Sequence, residues 1–105
     1  MIIYNTTFHV ENETVDKFLT YIKDIYVPAM IVGDHLSLPR LTKILTQTEE
    51  SEGSSCYSLQ FSAENEQVLD RWMEEEGISL LNNLIYSFSH KVLHFSTLLD
   101  EIDLS

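Results

Sequence analysis

The hydrophobic pattern of this chain changes its period twice in the same way, and this limits the folds that the chain can adopt. In residues 2–10, apolar and β-branched side chains alternate with others, which predicts a strand. In residues 12–32, apolar side chains recur at spacings of three and four, which predicts a helix with one apolar stripe. The same succession returns in residues 55–63 and from about residue 65 to Phe88. With strands also predicted at 38–48 and 90–99, the order is strand, helix, strand, strand, helix, strand.

This order predicts a single α+β domain over residues 1–105 with a ferredoxin-like βαββαβ fold. Two split βαβ units with right-handed crossovers give a four-stranded antiparallel sheet in the order 4-1-3-2. Both helices then cover the same face of the sheet. Pro28 is expected either to kink the first helix or to end it. Residues 100–105 are expected to form a frayed acidic tail.

The face of the sheet opposite the helices, called the open face below, is predicted to be half polar and half apolar. An exposed patch that contains Ile3, Val92 and Leu98 would be a liability in a monomer. A second copy of the chain laid over this face would remove the liability, so the pattern favours a homodimer. The side chains predicted to lie on the open face are Ile3, Asn5, Thr7, His9, Ser58, Gln60, Val92, His94, Ser96 and Leu98.

Composition excludes several classes of function. The net charge of −11 would repel phosphate backbones and anionic lipid surfaces, so neither nucleic acid nor a membrane is an expected partner. The single cysteine, Cys56, permits no disulfide within the chain. The opening residues have neither the basic nor the apolar region of a signal peptide, and no apolar run reaches the ~18 residues of a membrane span. These features favour a cytoplasmic protein.

Four short stretches carry a family resemblance: the opening MIIYN, the proline near the end of the first helix, the strand Tyr57–Phe61 and the closing Phe95–Leu99. Together they resemble domain-of-unknown-function family 4286 over nearly the whole chain. Members of that family look like dimeric α+β barrels, in which two ferredoxin-like sheets close face to face. The resemblance implies a homodimer and brings no established activity.

The wider barrel superfamily includes cofactor-independent monooxygenases and haem-degrading oxygenases. The resemblance to the haem-degrading members extends to Asn5 on the first strand and Trp72 on the second helix. It does not extend to their histidine, because the corresponding region reads Leu81-Asn82-Asn83. Since haem ligation needs a nitrogen or sulfur donor, no haem or other cofactor is expected.

Neutral hydrogen-bonding groups on the open face are the candidate ligand-binding residues. Such groups could orient a small neutral ligand in a barrel interior, or they could simply satisfy one another across the dimer. These candidates are Asn5, Thr7, His9, Ser58, Gln60 and His94. Cys56 lies on the same face, but none of its neighbours in sequence would activate a thiol.

No metal site is expected. His90 and His94 have the spacing H-x-x-x-H, but on a strand this places them ~13 Å apart, too far to share one ion.

These observations predict a non-catalytic homodimer that acts as a small-ligand binding protein or as an interaction module. The alternative is a cofactor-independent, monooxygenase-like enzyme that uses polar groups inside the barrel, with Asn5 and His94 as its candidates. No side chain can be assigned a catalytic role, because no base or nucleophile has an evident activating partner.

Overall fold

The computed structural model describes residues 1–45 and 53–105 of the chain. Four strands alternate with two helical segments. The strands are β1 (Ile2–Glu11), β2 (Leu36–Lys43), β3 (Ser54–Ala63) and β4 (Val92–Asp100). The first helical segment contains α1 (Val15–Tyr21) and α2 (Val27–Met30), and the second contains α3 (Glu66–Trp72) and α4 (Ile78–Phe88). The predicted βαββαβ order is therefore confirmed.

The strands form one antiparallel sheet in the order β2-β3-β1-β4, as predicted. β1 lies in the interior of this sheet. It pairs with β3 over its full length, from Ile2 opposite Ala63 to Glu11 opposite Ser54. It pairs on its other side with β4, from Ile2 opposite Asp100 to Val10 opposite Val92. The two pairings fix which β3 and β4 side chains share a face with each residue of β1.

One face of the sheet packs against the helices and forms the hydrophobic core. The even-numbered residues of β1 are buried and its odd-numbered residues are half-buried, as the period of two predicts. Phe18 of α1 joins the layers, because its ring centroid lies 5.1 Å from that of Phe8, 5.9 Å from that of Tyr57 and 5.9 Å from that of Phe88. Tilted aromatic pairs of this kind contribute about 0.5–1.5 kcal/mol each beyond their buried area.

Each helical segment contains one π-helical turn. In the first segment it spans Ile22–Tyr26 and is followed directly by α2, which contains Pro28. A proline cannot donate to the carbonyl four residues earlier, and its ring would clash with that carbonyl in a regular helix. The wider turn before Pro28 relieves this conflict, so the helix continues to Met30.

The π-helical turn of the second segment, Met73–Gly77, lies where the sequence contains a glycine. Gly77 is buried against Trp72 and Met73. At the start of this segment, Asn65 is the N-cap, and its Oδ1 accepts a hydrogen bond of 2.9 Å from the Val68 N–H.

β2 differs from its predicted bounds. It begins at Leu36 instead of residue 38, and its pairing with β3 shifts by one residue between Ser37 and Arg40. The extra residue is a β-bulge, with Leu38 at a φ of 51°. Residues 46–52, which include the predicted end of this strand, lie outside the described residues.

The predicted faces of β4 were wrong. Val92, His94, Ser96 and Leu98 were expected on the open face, but they pair with Val10, Phe8, Thr6 and Tyr4 and lie on the helix side. Val92 sets this orientation, because it is buried to 2% exposure opposite Val10. Leu93, Phe95, Thr97 and Leu99 therefore occupy the open face. The strand extends to Asp100, one residue into the predicted tail.

Two polar atoms in the described core have no hydrogen-bond partner: the Tyr26 hydroxyl and the Trp72 Nε1. Burial, with smaller contributions from Tyr4 and Tyr21, raises the pKa of the Tyr26 phenol. No helix in the described part of the chain is long and apolar enough to cross a membrane.

Replacing Tyr26 with phenylalanine is expected to leave the free energy of unfolding unchanged or to raise it, by up to about 1 kcal/mol, because a buried hydroxyl without a partner is removed. Because the pKa of Tyr26 is raised in the folded state, the unfolded chain releases this proton at a lower pH than the folded protein does, so the free energy of unfolding falls as the pH rises above the ordinary tyrosine value. Tyr26→Phe should therefore flatten the loss of stability above about pH 10.

Urea denaturation at pH 7 and at alkaline pH measures both effects. Tyr4→Phe is the matched control, since the Tyr4 hydroxyl accepts a hydrogen bond of 3.4 Å from Ser96 Oγ. This control should lose about 0.5–1.5 kcal/mol. A larger loss for Tyr26→Phe than for Tyr4→Phe would contradict the expectation.

Gly77→Ala is expected to destabilise the protein by about 1–3 kcal/mol through overpacking. A Cβ at this position would lie 2.5 Å from Cζ3 of the buried Trp72 ring and 2.6 Å from Met73 Sδ. Ser79→Ala, at an exposed position of α4, is the control and should change stability by less than about 0.5 kcal/mol. Thermal unfolding followed by circular dichroism compares the two, and equal melting temperatures would show that the helix can move away from the ring.

Candidate functional site

A polar strip runs along the open face of β1 and β3, and it contains most of the predicted binding residues. Each β1 member lies opposite a polar side chain of β3: Asn5 opposite Gln60, Thr7 opposite Ser58 and His9 opposite Cys56. All are half-buried. The polar strip is defined here as Asn5, Thr7, His9, Cys56, Ser58 and Gln60.

Asn5 is the centre of a hydrogen-bond network in the polar strip. Its Oδ1 accepts a hydrogen bond of 2.5 Å from Ser58 Oγ, and its Nδ2 donates one of 3.3 Å to Thr7 Oγ1. These contacts fix the side-chain amide and determine which groups it still offers. The second Nδ2 hydrogen and the second lone pair of Oδ1 can both serve a neutral partner above the sheet.

His9 lies between two side chains of β3 at the end of the polar strip. Its Nε2 is 2.7 Å from Ser54 Oγ, and its Nδ1 is 3.2 Å from Cys56 Sγ. Both distances fall within hydrogen-bond range, so each ring nitrogen has a partner. Antiparallel pairing produces this arrangement, because it places His9 opposite Cys56 and Glu11 opposite Ser54.

β4 borders the polar strip with an apolar edge, defined as Leu93, Phe95 and Leu99. These side chains are 60%, 63% and 40% exposed. Each lies beside a residue of β1 on the open face, with Phe95 opposite Thr7 and Leu93 opposite His9. None of the described elements covers them.

Charged side chains are scarce on the open face. The chain has 17 acidic and six basic residues, but among the residues paired in the four strands only Glu11 and Arg40 point to this side of the sheet. They lie apart, because Arg40 is opposite Gln60 and Glu11 is opposite Ser54. Most of the charged side chains that the structure describes therefore lie elsewhere on the surface.

His94 is separated from the other predicted binding residues. It lies on the helix side of β4, with its ring centroid 6.5 Å from that of Phe8. There it lines a shallow groove with Ile85, Tyr86 and His90 of the second helical segment and the residues that follow it. The structure thus brings together Asn5, Thr7, His9, Ser58 and Gln60, and it does not bring His94 to them.

The sequence reasoning missed two features of this face. The first is the apolar edge, which the wrong assignment of β4 concealed. The second is the contact of His9 with Ser54 and Cys56, which depends on the pairing of two strands far apart in sequence. Its only signal in sequence is that His9 and Cys56 were both predicted to face away from the core. In the described residues, no group of three or more histidine, cysteine or acidic side chains could hold a metal ion.

Solved structures with the same fold come from several groups of proteins. An EthD family protein from Bacillus halodurans superposes with a TM-score of 0.68 at 13% identity, covering 97% of this chain and 100% of that one. A candidate antibiotic biosynthesis monooxygenase from Deinococcus radiodurans gives 0.66 at 16%, covering 100% and 96%. A dimeric ferredoxin-like protein from an uncultured marine organism gives 0.55 at 14%, covering 99% and 92%.

These identities are low enough that the likeness shows the fold alone. No curated protein matches the sequence. A family model described as a domain of unknown function, DUF4286, matches residues 1–102. That match spans every strand and helix described above, and it includes the residues that carried the resemblance in sequence. The chain therefore belongs to domain-of-unknown-function family 4286 and has a ferredoxin-like α+β fold.

Proposed function

We propose that the protein is a homodimeric α+β barrel, in which the open faces of two copies pack against each other. The observation that carries this proposal is the exposed apolar edge. Leu93, Phe95 and Leu99 lie along one strand at 40% exposure or more, with Thr97 between Phe95 and Leu99, on a face that no described element covers. An apolar surface of this kind on a sheet is typical of a contact with another protein surface.

The distribution of charge supports association through this face. Charged residues are depleted at the centres of protein interfaces, because their desolvation is costly. The open face carries Glu11 and Arg40 near its borders, although the chain as a whole has a net charge of −11. A second copy is the simplest occupant, since a related fold occurs in a protein described as dimeric.

Inside such a dimer, the two polar strips would line a shared interior. Their groups are neutral amides and hydroxyls with an imidazole and a thiol, and Asn5 retains hydrogen-bonding capacity beyond its contacts with Ser58 and Thr7. This chemistry suits a small, neutral ligand with a few polar atoms. We therefore propose a non-catalytic binding or interaction module, in which the ligand, when present, contacts Asn5, Thr7, Ser58 and Gln60.

A second candidate is a cofactor-independent, monooxygenase-like enzyme that acts within the barrel. The observation in its favour is the fold that the chain shares with the Deinococcus radiodurans protein. Asn5 stays available for such a role. His94 does not act with it, because the two side chains lie on opposite faces of the sheet.

The dimer is tested by placing a charge on the apolar edge. The wild-type chain of 12.2 kDa should have twice this mass in solution. Phe95→Glu should weaken dimerisation by about a hundredfold or more, because an unpaired carboxylate would be buried at the centre of the contact. Tyr86→Glu is the matched control, since Tyr86 is 90% exposed on a helix and should tolerate the change.

Light scattering during size-exclusion chromatography over a range of concentrations gives the dissociation constants. A wild-type protein that stays monomeric up to about 100 μM would contradict the dimer, because stable assemblies bind more tightly than this.

The ligand is tested by native mass spectrometry of freshly purified protein. A binding protein should carry an additional mass of a few hundred daltons, typical of a small molecule, which denaturation removes. Asn5→Leu should lose this mass, because the amide that would orient a polar ligand is replaced by an isosteric apolar group. Ser37→Ala, at the exposed β2 border of the same face, should keep it. A dimer without additional mass would favour the interaction module over the binding protein.

A further inference from the structure

Cys56, His9 and Ser54 form a cluster that resembles the nucleophile, base and orienting group of thiol enzymes in its chemistry. The thiol sulfur is 3.2 Å from His9 Nδ1, and the opposite ring nitrogen, Nε2, is 2.7 Å from Ser54 Oγ. An imidazole held between a nucleophile and a third polar group is the arrangement that activates a nucleophile. All three side chains belong to one chain, so the cluster exists whether or not the protein dimerises.

The contact with Ser54 accommodates the tautomer of His9 that a general base needs. When Nε2–H donates to Ser54 Oγ, the lone pair of Nδ1 points at the Cys56 thiol and can accept its proton. The same donor contact persists after Nδ1 is protonated, so Ser54 also stabilises the imidazolium. A thiolate beside an imidazolium is the reactive form of cysteine.

The position of the cluster permits access by small molecules. Cys56 and His9 are half-buried, not enclosed, and they lie near the end of the sheet where β1 finishes at Glu11 and β3 begins at Ser54. The nearest described neighbour on β4 is the apolar Leu93. In a face-to-face dimer this end of the strip would lie toward the mouth of the barrel.

We propose that Cys56 is a site of reversible thiol–disulfide exchange with small disulfides, with His9 as the general base and Ser54 as a positioning residue. Cys56 transfers its thiol proton to His9 Nδ1, and its sulfur attacks one sulfur of the small disulfide. The disulfide bond breaks, and the second sulfur leaves as a thiolate that takes the proton back from the imidazolium. The Cys56 sulfur is oxidised to a mixed disulfide, and the leaving thiol is the reduced product.

Charge limits the class of disulfide. The chain carries a net charge of −11, and the carboxylate of Glu11 follows His9 on the same face of β1. Anionic disulfides are therefore repelled, whereas neutral or cationic disulfides approach without this cost. The substrate class is a small disulfide without negative charge.

Because Cys56 is the only cysteine in the chain, the reaction has an unambiguous readout. The neutral disulfide 4,4′-dithiodipyridine releases a coloured thiopyridone when a thiol attacks it. The rate of this release is measured for the wild type, His9→Gln and Ser54→Ala, and Cys56→Ser, which has no thiol, gives the background rate. His94→Gln is the matched control, because it removes an imidazole from the other face of the sheet.

At pH 6.5, His9→Gln should react about tenfold or more slowly than the wild type, since a free thiol is almost fully protonated there. At pH 9.5 the two rates should agree within about threefold, because an ordinary thiol is then ionised without a base. Ser54→Ala should give an intermediate loss at pH 6.5, of about twofold to fivefold, and His94→Gln should give none. Among the described residues, the titratable groups that share this corner of the open face are Cys56, His9 and Glu11, so Glu11→Gln reports whether its carboxylate contributes to the pH profile.

A purely structural role of His9 would not produce a loss that disappears at high pH. A rate for His9→Gln within twofold of the wild type at pH 6.5 would overturn the proposal. If His9→Gln fails to fold, the wild type alone tests the proposal. The folded protein should react faster with the disulfide at pH 6.5 than the same chain unfolded in guanidinium chloride. A slower reaction of the folded protein overturns the proposal. The charge selectivity is measured with two disulfides, cationic cystamine and dianionic 5,5′-dithiobis(2-nitrobenzoate). For each disulfide, the rate of the folded protein is divided by the rate of the unfolded chain. This ratio should be higher for cystamine.

Discussion

The pairing of β1 with β3 is the constraint on which the rest of the structure depends. Ten consecutive pairs join the two strands, from Ile2 opposite Ala63 to Glu11 opposite Ser54. Because side chains alternate between the faces, a slip of one residue would move Phe8 and Val10, both fully buried, to the open face. The aromatic contacts of Phe18 with Phe8 and Tyr57 would be lost with them. The same register that builds the core also brings together the polar strip on the other side.

Sequence alone predicted the features that are encoded locally. The faces of β1 and β3 followed from their alternation, because each strand has its large apolar side chains on one parity. β4 has apolar side chains on both parities, so its alternation does not distinguish the faces. Val92 is the β4 residue that is buried, and its burial depends on where β4 pairs with β1. The order of the strands was still predicted, since it depends on the handedness of the crossovers and not on the register.

The missed features depend on contacts between residues that are far apart in sequence. His9 and Cys56 are 47 positions apart, and only the β1–β3 register makes them neighbours. The π-helical turns are a different case, because they depend on local backbone constraints that the apolar stripe of a helix does not reveal. One accommodates Pro28, and the other brings Gly77 against the Trp72 ring. Proline and glycine marked both places in the sequence, but they could not show that the helices would continue.

The open face combines an apolar edge and a polar strip, and the two respond differently when the face is removed from water. The apolar edge gains free energy when any surface removes it from water, whatever the chemistry of the polar strip. The polar strip loses its contacts with water in the same event, so each buried donor and acceptor must find a partner. Asn5, Ser58 and Thr7 already meet much of this demand within one chain, as His9 does with Ser54 and Cys56. These hydrogen bonds within one chain lower the desolvation cost of covering the open face. The contact of His9 with Cys56 is one of them, so the thiol and the imidazole remain neighbours when the face is covered.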